Sequence, residues 1–174
     1  MQVKKINLNS EFVLYNSKNE LPPEVKSLME SAEKARNKAY APYSNFLVGA
    51  AVHLENGKII TGNNQENAAY PSGICAERTA VFYASSKYPN QKILQMAIIA
   101  GPKNKPAFSP ISPCGACRQV LAEYEIKQNN PIELYFMGTE GEVAYSKSIK
   151  NILPLLYTCL LYTSPSPRYD PWSR

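Results

Sequence analysis

The sequence predicts a single-domain α/β protein with a mixed five-stranded sheet, in which an N-terminal hairpin is followed by parallel strands, and with helices on both faces. Its 174 residues match about one domain of roughly 150 residues. Helical and strand patterns alternate along the chain, which is typical of layered α/β folds. The later strands are joined through helices, and such connections favour parallel pairing.

The first 23 residues are polar and weakly patterned, and we interpret 1–23 as an extension that precedes a folded domain over 24–157. Pro22 and Pro23 close this extension and begin the first helix. Proline is tolerated in a first helical turn, and the carboxylate of Glu24 suits the positive end of a helix. Helical spacing then continues through a set of apolar residues: Val25, Leu28, Met29, Ala32 and Ala39.

Strands over 47–54 and 59–64 form the predicted hairpin, because Asn56-Gly57 is a strong signal for a two-residue turn. A break at 71–73 precedes the second helix, and the apolar run over 93–100 is typical of a strand that is buried on both faces. The remaining predicted elements are helices over 75–86, 114–124 and 146–157 and a strand over 132–137.

The composition changes from residue 158 onward, where no helical or strand period remains. We expect 158–174 to be a disordered tail, and one interpretation is a segment added by cloning or read-through.

Charge and hydropathy exclude several classes of protein. The net charge of +5 comes from scattered Lys and Arg residues, not from the basic stripe with interleaved aromatics that nucleic-acid binding favours. The longest apolar run, 96–100, is far shorter than the roughly 20 residues of a membrane span. No apolar signal segment follows Lys4 and Lys5. We therefore expect a cytoplasmic protein that binds neither nucleic acid nor membrane.

Three of the four cysteines lie in two motifs, each at a point where a loop enters a predicted helix. Backbone N–H groups at a helix start favour the thiolate form of cysteine. In a cytosolic protein such a set indicates metal or redox chemistry. Thiolates of Cys75, Cys114 and Cys117 could hold zinc and leave its fourth position open, as in catalytic zinc sites.

Charged residues next to these cysteines suit a working metal site. Glu77, two residues after Cys75, could reach a water at the open position without binding the metal. Zinc with three thiolates carries a net charge of about −1, which opposes the ionisation of that water. Arg78 and Arg118 could donate hydrogen bonds to the sulfurs and withdraw charge from them.

Simpler interpretations of the same residues remain open. Cys114 and Cys117 could form a thioredoxin-like redox pair, and Cys159 could complete a structural site with four sulfurs. Glu77 could have no catalytic role and be only a carboxylate that the dipole favours at the N-terminal end of its helix. His53, the only histidine, is expected to be a strand residue and not a ligand.

Four motifs together carry a family resemblance. They are Cys-Ala-Glu-Arg at 75–78, Pro-Cys-Gly-Ala-Cys-Arg at 113–118, Tyr-Ala-Pro-Tyr-Ser-Asn-Phe-Leu-Val-Gly-Ala at 40–50 and Asn-Gln-Glu-Asn-Ala-Ala-Tyr at 64–70. Over about 24–157 the chain closely resembles the small, homotetrameric cytidine deaminases, zinc enzymes with a glutamate that is not a metal ligand.

The resemblance implies a cytidine-deaminase-like fold and zinc-dependent hydrolysis of cytidine and 2′-deoxycytidine to uridine and 2′-deoxyuridine, with release of ammonia, in pyrimidine salvage. It implies that Cys75, Cys114 and Cys117 bind zinc. Glu77 would take a proton from the attacking water, deliver it to ring N3 and later protonate the departing amine, which requires a pKa near the working pH.

The resemblance also assigns substrate contacts. Asn64 and Glu66 match a ribose-binding pair, and residues two apart on a strand project to the same face. Without the resemblance they could simply end a strand in a polar loop. Phe46 matches an aromatic residue that packs on the base. Without the resemblance, Phe46 and Tyr70 would each be interpreted as an aromatic of the core or of a pocket rim. The remaining matches are Ala76 and Tyr157, the latter from a neighbouring subunit of the tetramer.

Two other functions remain open from the sequence. A related deaminase could act on another cytosine-containing nucleoside, such as a nucleoside antibiotic, and would differ in its sugar-side residues. A non-catalytic binding module could use zinc only for stability.

Overall fold

The computed structural model describes residues 3–158, so the predicted tail over 158–174 lies outside them apart from Thr158. The described elements are strands β1 (Val13–Tyr15), β2 (Phe46–Leu54), β3 (Ile59–Asn63), β4 (Ile93–Pro102), β5 (Glu133–Met137) and β6 (Val143–Ser146), and helices α1 (Pro23–Arg36), α2 (Ala76–Lys87) and α3 (Gly115–Lys127). No helix among these residues is long and apolar enough to cross a membrane.

The strands form one mixed sheet in the order β1-β6-β5-β4-β2-β3. β2 pairs antiparallel with both β3 and β4, whereas β4 and β5 are parallel and connected through α3. The α/β class, the hairpin and the parallel pairing are thereby confirmed. The predicted number of five strands is wrong, because the sheet has six strands within the described residues. β1 and β6 are only 3 and 4 residues long, too short to show an alternating pattern.

The helix predicted over 146–157 is also wrong. This segment contains only a single 3₁₀ turn, Ile149–Asn151. The buried carboxylate of Glu125 on α3 accepts hydrogen bonds from Ile149 N at 3.0 Å and from the Ser148 hydroxyl at 2.6 Å. These long-range bonds fix the turn, and Pro154 would also interrupt a helix at this place.

Helices cover both faces of the sheet, as predicted. α1 buries its apolar side on one face, in a cluster that includes Val25, Leu28, Met29, Ala51, Ala97 and Met137. α2 and α3 bury theirs on the other, in a cluster that includes Ala80, Val81, Leu121, Val52, Met96 and Phe136. Burial of apolar area on each face of the sheet is the main force that holds the layers together.

One glycine sets the position of α2 on the sheet. A Cβ atom at Gly62, on β3, would lie 2.5 Å from both Ala76 O and Ala80 N in the backbone of α2. Only glycine therefore lets the first turn of α2 lie directly against β3. This close approach places the N-terminal end of α2, where Cys75 is found, beside the residues that follow β3.

Candidate active site

The three cysteines of the two motifs meet in space. Cys75 is the N-cap residue of α2, Cys114 is that of α3, and Cys117 lies in the first turn of α3. Their sulfur atoms all lie within 4.8 Å of one another, and Cys75 Sγ is 3.9 Å from Cys114 Sγ. Tetrahedral zinc with bonds of about 2.3 Å keeps sulfurs about 3.8 Å apart. The trio therefore fits zinc, and within residues 3–158 no other such cluster occurs.

The pKa values of the Cys75 and Cys117 thiols are shifted in opposite directions. A hydrogen bond from the Cys117 thiol, helped by Arg78, lowers the pKa of the Cys75 thiol from 9.0 to about 5. The same hydrogen bond to Cys75, together with burial, raises the pKa of Cys117. One thiolate is therefore favoured before any metal binds, and a cation that binds the trio must displace the remaining protons.

Arg78 and Arg118 have different partners. Arg78 Nη2 donates to Cys75 Sγ over 3.6 Å, and the buried Arg78 Nε has no hydrogen-bond partner among the described residues. A guanidinium at this place suits a metal site that carries net negative charge.

The sequence also predicts hydrogen bonds from Arg118 to the sulfurs, but its guanidinium donates elsewhere: to Pro113 O at 2.8 Å, to Ile152 O at 3.1 Å and to Ser112 Oγ at 2.8 Å. Arg118 therefore joins the loop before α3 to the segment that follows β6 by hydrogen bonds. Arg118 thus supports the position of Cys114 through the backbone and does not contact a sulfur in this structure.

Glu77 lies in the first turn of α2 and is only 4% exposed. Burial, with a smaller contribution from the charge on Cys75, raises the pKa of the Glu77 carboxyl above its ordinary value. A carboxyl whose pKa moves toward neutrality can both accept and return a proton. The Glu77 carboxylate also accepts a hydrogen bond from the Cys117 thiol, and this bond, with the effect of the charge on Cys75, places the carboxyl next to the sulfurs.

A cleft of about 510 Å³ opens beside the sulfur trio. Asn64 and Glu66 line it together with Cys75 and Arg78, so residues from two of the sequence motifs share one cavity. Of the trio only Cys75 lines the cleft, and the predicted catalytic and substrate-binding residues outside its lining are Phe46, Ala76, Glu77 and Tyr157. Phe46 is half-buried at the start of β2, Ala76 is fully buried and Tyr157 is 69% exposed.

The side chains of Asn64 and Glu66 also hold the chain around the cleft. Asn64 Oδ1 accepts from Val48 N at 2.8 Å, and Asn64 Nδ2 donates to Phe46 O at 2.9 Å. Glu66 accepts hydrogen bonds from the Ser44 hydroxyl and from the backbone N–H groups of Tyr43 and Ser44. The Ser44 hydroxyl is the main cause of the lowered pKa of the Glu66 carboxyl, which stays ionised.

Sequence reasoning did not single out several residues that line the cleft, and Tyr43 and Ser44 are the two with contacts to the predicted residues. The ring of Tyr43 packs edge-on against that of Tyr70, with centroids 6.4 Å apart. Both missed residues belong to the motif over 40–50, so the motif was the available signal. Spacing alone could not show that this loop folds over Glu66.

A trio of cysteine sulfurs at two helix starts, next to a buried glutamate, defines a zinc-dependent deaminase. The family model described as "Cytidine and deoxycytidylate deaminase zinc-binding region" matches residues 23–130. The chain belongs to the cytidine deaminase family, and it is a hydrolytic deaminase with zinc as its cofactor.

Individual relatives agree with this assignment. The cytidine deaminase of Halalkalibacterium halodurans is 47% identical over 131 residues, which cover 75% of this chain and 92% of that protein. The enzyme of Sporosarcina psychrophila is 40% identical, with 75% and 89% covered. The crystal structure of cytidine deaminase from Burkholderia pseudomallei superposes with a TM-score of 0.65 at 39% identity, covering 75% of this chain and 97% of that one. These relatives do not favour either alternative function, another cytosine nucleoside or a non-catalytic zinc module.

Proposed function

We propose that this enzyme hydrolyses cytidine and 2′-deoxycytidine to the corresponding uridines in cytoplasmic pyrimidine salvage. The observation that carries the proposal is the cleft of about 510 Å³ that extends from Cys75 to Glu66. It offers a metal-binding end and a hydroxyl-binding end within one cavity. In the overall reaction a cytosine amine and one water become a carbonyl and one ammonia.

Cys75, Cys114 and Cys117 are the residues that would hold zinc. When bound, zinc supplies a water activated for attack at neutral pH. Arg78, which donates to Cys75 Sγ at 3.6 Å, draws electron density from that sulfur and partly offsets the negative charge of three thiolates.

Glu77 is the proton carrier. Its carboxylate would accept a proton from the attacking water and pass it to N3 of the cytosine ring, which makes C4 more electrophilic. It would then carry a second proton to the exocyclic nitrogen as the C–N bond breaks. Burial of Glu77, at 4% exposure, excludes competing solvent, and general acid–base catalysis by one such group is worth about 10² to 10⁴ in rate.

Asn64 and Glu66 would bind the sugar. Carboxylate and carboxamide oxygens accept hydrogen bonds from ribose hydroxyls, and an ionised acceptor makes the stronger bond. Phe46 and Ala76 would pack around the base. Phe46 is half-buried, and its backbone carbonyl accepts a hydrogen bond from Asn64 Nδ2 at 2.9 Å, which holds it near the sugar-binding residues.

We also propose the homotetramer that the resemblance implies, with Tyr157 of each subunit at a neighbouring site. Tyr157 is 69% exposed, and its backbone is held by the side chain of Gln119 at 2.8 Å and 3.3 Å. The backbone of Tyr157 is therefore held on α3, and its exposed ring is available to contact another subunit. Phe82 and Tyr83 on α2 are 42% and 51% exposed, which supplies apolar surface for such contacts.

The substrate class is tested by incubating the zinc-loaded enzyme with cytidine, 2′-deoxycytidine and their 5′-monophosphates and following ultraviolet absorbance and ammonia release. We expect both nucleosides to react. Within residues 3–158, Glu66 and Arg78 are the only Asp, Glu, Lys or Arg side chains that line the cleft, and Arg78 Nη2 donates to Cys75 Sγ. A phosphate would thus meet a carboxylate, and kcat/KM for the monophosphates should be lower by at least about 100-fold. Unchanged cytidine in the presence of a fully zinc-loaded enzyme would contradict the proposal.

A further inference from the structure

Asn64 and Glu66, the residues that we propose to bind the sugar, both fix the backbone of Phe46. Asn64 Nδ2 donates directly to Phe46 O at 2.9 Å. Glu66 acts through one intermediate: its carboxylate accepts the Ser44 hydroxyl, and the same Ser44 oxygen accepts from Phe46 N at 3.0 Å. The donor and the acceptor of the Phe46 peptide backbone are thus both fixed by the sugar end of the cleft.

The turn between Ser44 and Phe46 contains a residue in the left-handed backbone region. This residue is Asn45, with a φ of 53°, a conformation that asparagine adopts more readily than other non-glycine residues. Two backbone hydrogen bonds, from Asn45 N to Ala41 O at 3.1 Å and from Lys103 N to Asn45 O at 2.8 Å, hold its peptide groups. Neither of them fixes the amide of Phe46, which depends on Ser44 Oγ.

We propose that Ser44 is a positioning residue that couples sugar recognition at Glu66 to the placement of the Phe46 ring on the base. The proposal rests on the proposed function, since it assumes a nucleoside in the cleft. Ser44 donates to one residue and accepts from the other, so the loss of one hydroxyl breaks both links. A nucleoside whose sugar engages Glu66 also stabilises the loop position that presents Phe46.

A different possibility is that Glu66 holds the loop through the backbone alone. Its carboxylate also accepts from Tyr43 N at 2.9 Å and from Ser44 N at 3.3 Å. These two bonds do not need the Ser44 side chain and would survive its removal. If they sufficed, substitution of Ser44 by alanine would leave substrate binding unchanged, so the two possibilities predict different results.

The test compares Ser44→Ala, Ser44→Thr and the matched control Ser86→Ala, at an exposed serine on α2, with the unmodified enzyme. Steady-state kinetics with cytidine gives kcat and KM, and NMR-detected hydrogen exchange follows the Phe46 amide. For Ser44→Ala we expect KM to rise about tenfold and kcat to stay within about twofold of that of the unmodified enzyme. The variant loses the hydrogen bond to the charged Glu66 carboxylate, and we expect this bond to contribute to substrate binding and not to the chemical step. The Phe46 amide should exchange about tenfold faster. Ser44→Thr keeps the hydroxyl at an exposed position and should restore both values.

An unchanged KM in Ser44→Ala, with normal turnover by the unmodified enzyme, would overturn this inference and leave the proposed function intact. A fall in kcat and melting temperature without a rise in KM would also overturn it, since that result indicates a purely structural role. Failure of the unmodified, zinc-loaded enzyme to deaminate cytidine would instead contradict the proposed function, on which this inference depends.

Discussion

Substitution of Glu77 by glutamine is expected to lower kcat for cytidine by about 10³-fold while zinc stays bound. Glutamine has the same shape and can fill the buried position, but its amide cannot accept a proton from water or deliver one to the base. Glu77 is not one of the three sulfur ligands that we propose, so the metal content should not change.

The measurements for Glu77→Gln are the zinc content of the purified variant and its rate of cytidine deamination. Glu123→Gln is the matched control, because Glu123 is exposed on the outer side of α3 and should retain full activity. Turnover near that of the unmodified enzyme, or loss of zinc with turnover intact, would contradict the role assigned to Glu77.

Substitution of Cys117 by alanine should abolish zinc binding and activity together and should lower the melting temperature. Cys117 is fully buried in the first turn of α3, where its sulfur meets that of Cys75 from α2. Metal binding links the two helices, and the free energy of such binding adds to folding stability. A loss of a few kcal/mol corresponds to about 10 °C for a chain of this size.

Zinc analysis and thermal unfolding of Cys117→Ala test this expectation, with Cys159→Ser as the matched control. Cys159 lies outside the described residues and is not part of the proposed site, so its substitution should leave zinc content, melting temperature and activity unaltered. A Cys117→Ala variant with full zinc content and unchanged melting would disprove the assignment of Cys117. Loss of zinc in Cys159→Ser would favour a site with four sulfurs.

Elements with strong local signals could be predicted from the sequence. The pair Pro22-Pro23 indicated the start of α1, which begins at Pro23. Asn56-Gly57 indicated the hairpin, and Gly57 has a positive φ of 78°, as such a turn requires. The two cysteine motifs indicated helix starts, and Cys75 and Cys114 are the N-cap residues of α2 and α3.

Features that depend on tertiary contacts could not be predicted in this way. The 3₁₀ turn after β6 is fixed by the buried Glu125, more than 20 residues away in sequence. Arg118 directly follows Cys117, whereas Arg78 lies three residues after Cys75. Arg118 is thus nearer to a cysteine in sequence, yet its hydrogen-bond partners are Pro113, Ser112 and Ile152. Sequence proximity to the sulfurs thus did not determine which guanidinium contacts them, because side-chain direction depends on the fold.

The loop over the cleft shows the same limit. The resemblance singled out Phe46 and Glu66, but nothing in their spacing shows that they are joined by hydrogen bonds through Ser44. A turn with a left-handed residue, Asn45, brings them together, and no simple pattern of apolar residues predicts such a turn.

The proposed chemistry requires that the thiolates of Cys75, Cys114 and Cys117 hold zinc and leave its fourth position to water beside Glu77. X-ray absorption spectroscopy at the zinc edge of the purified enzyme tests this claim. We expect three sulfur neighbours at about 2.3 Å and one lighter neighbour, oxygen or nitrogen, at about 2.0 Å. Four sulfur neighbours, or a fully active protein without zinc, would contradict the claim.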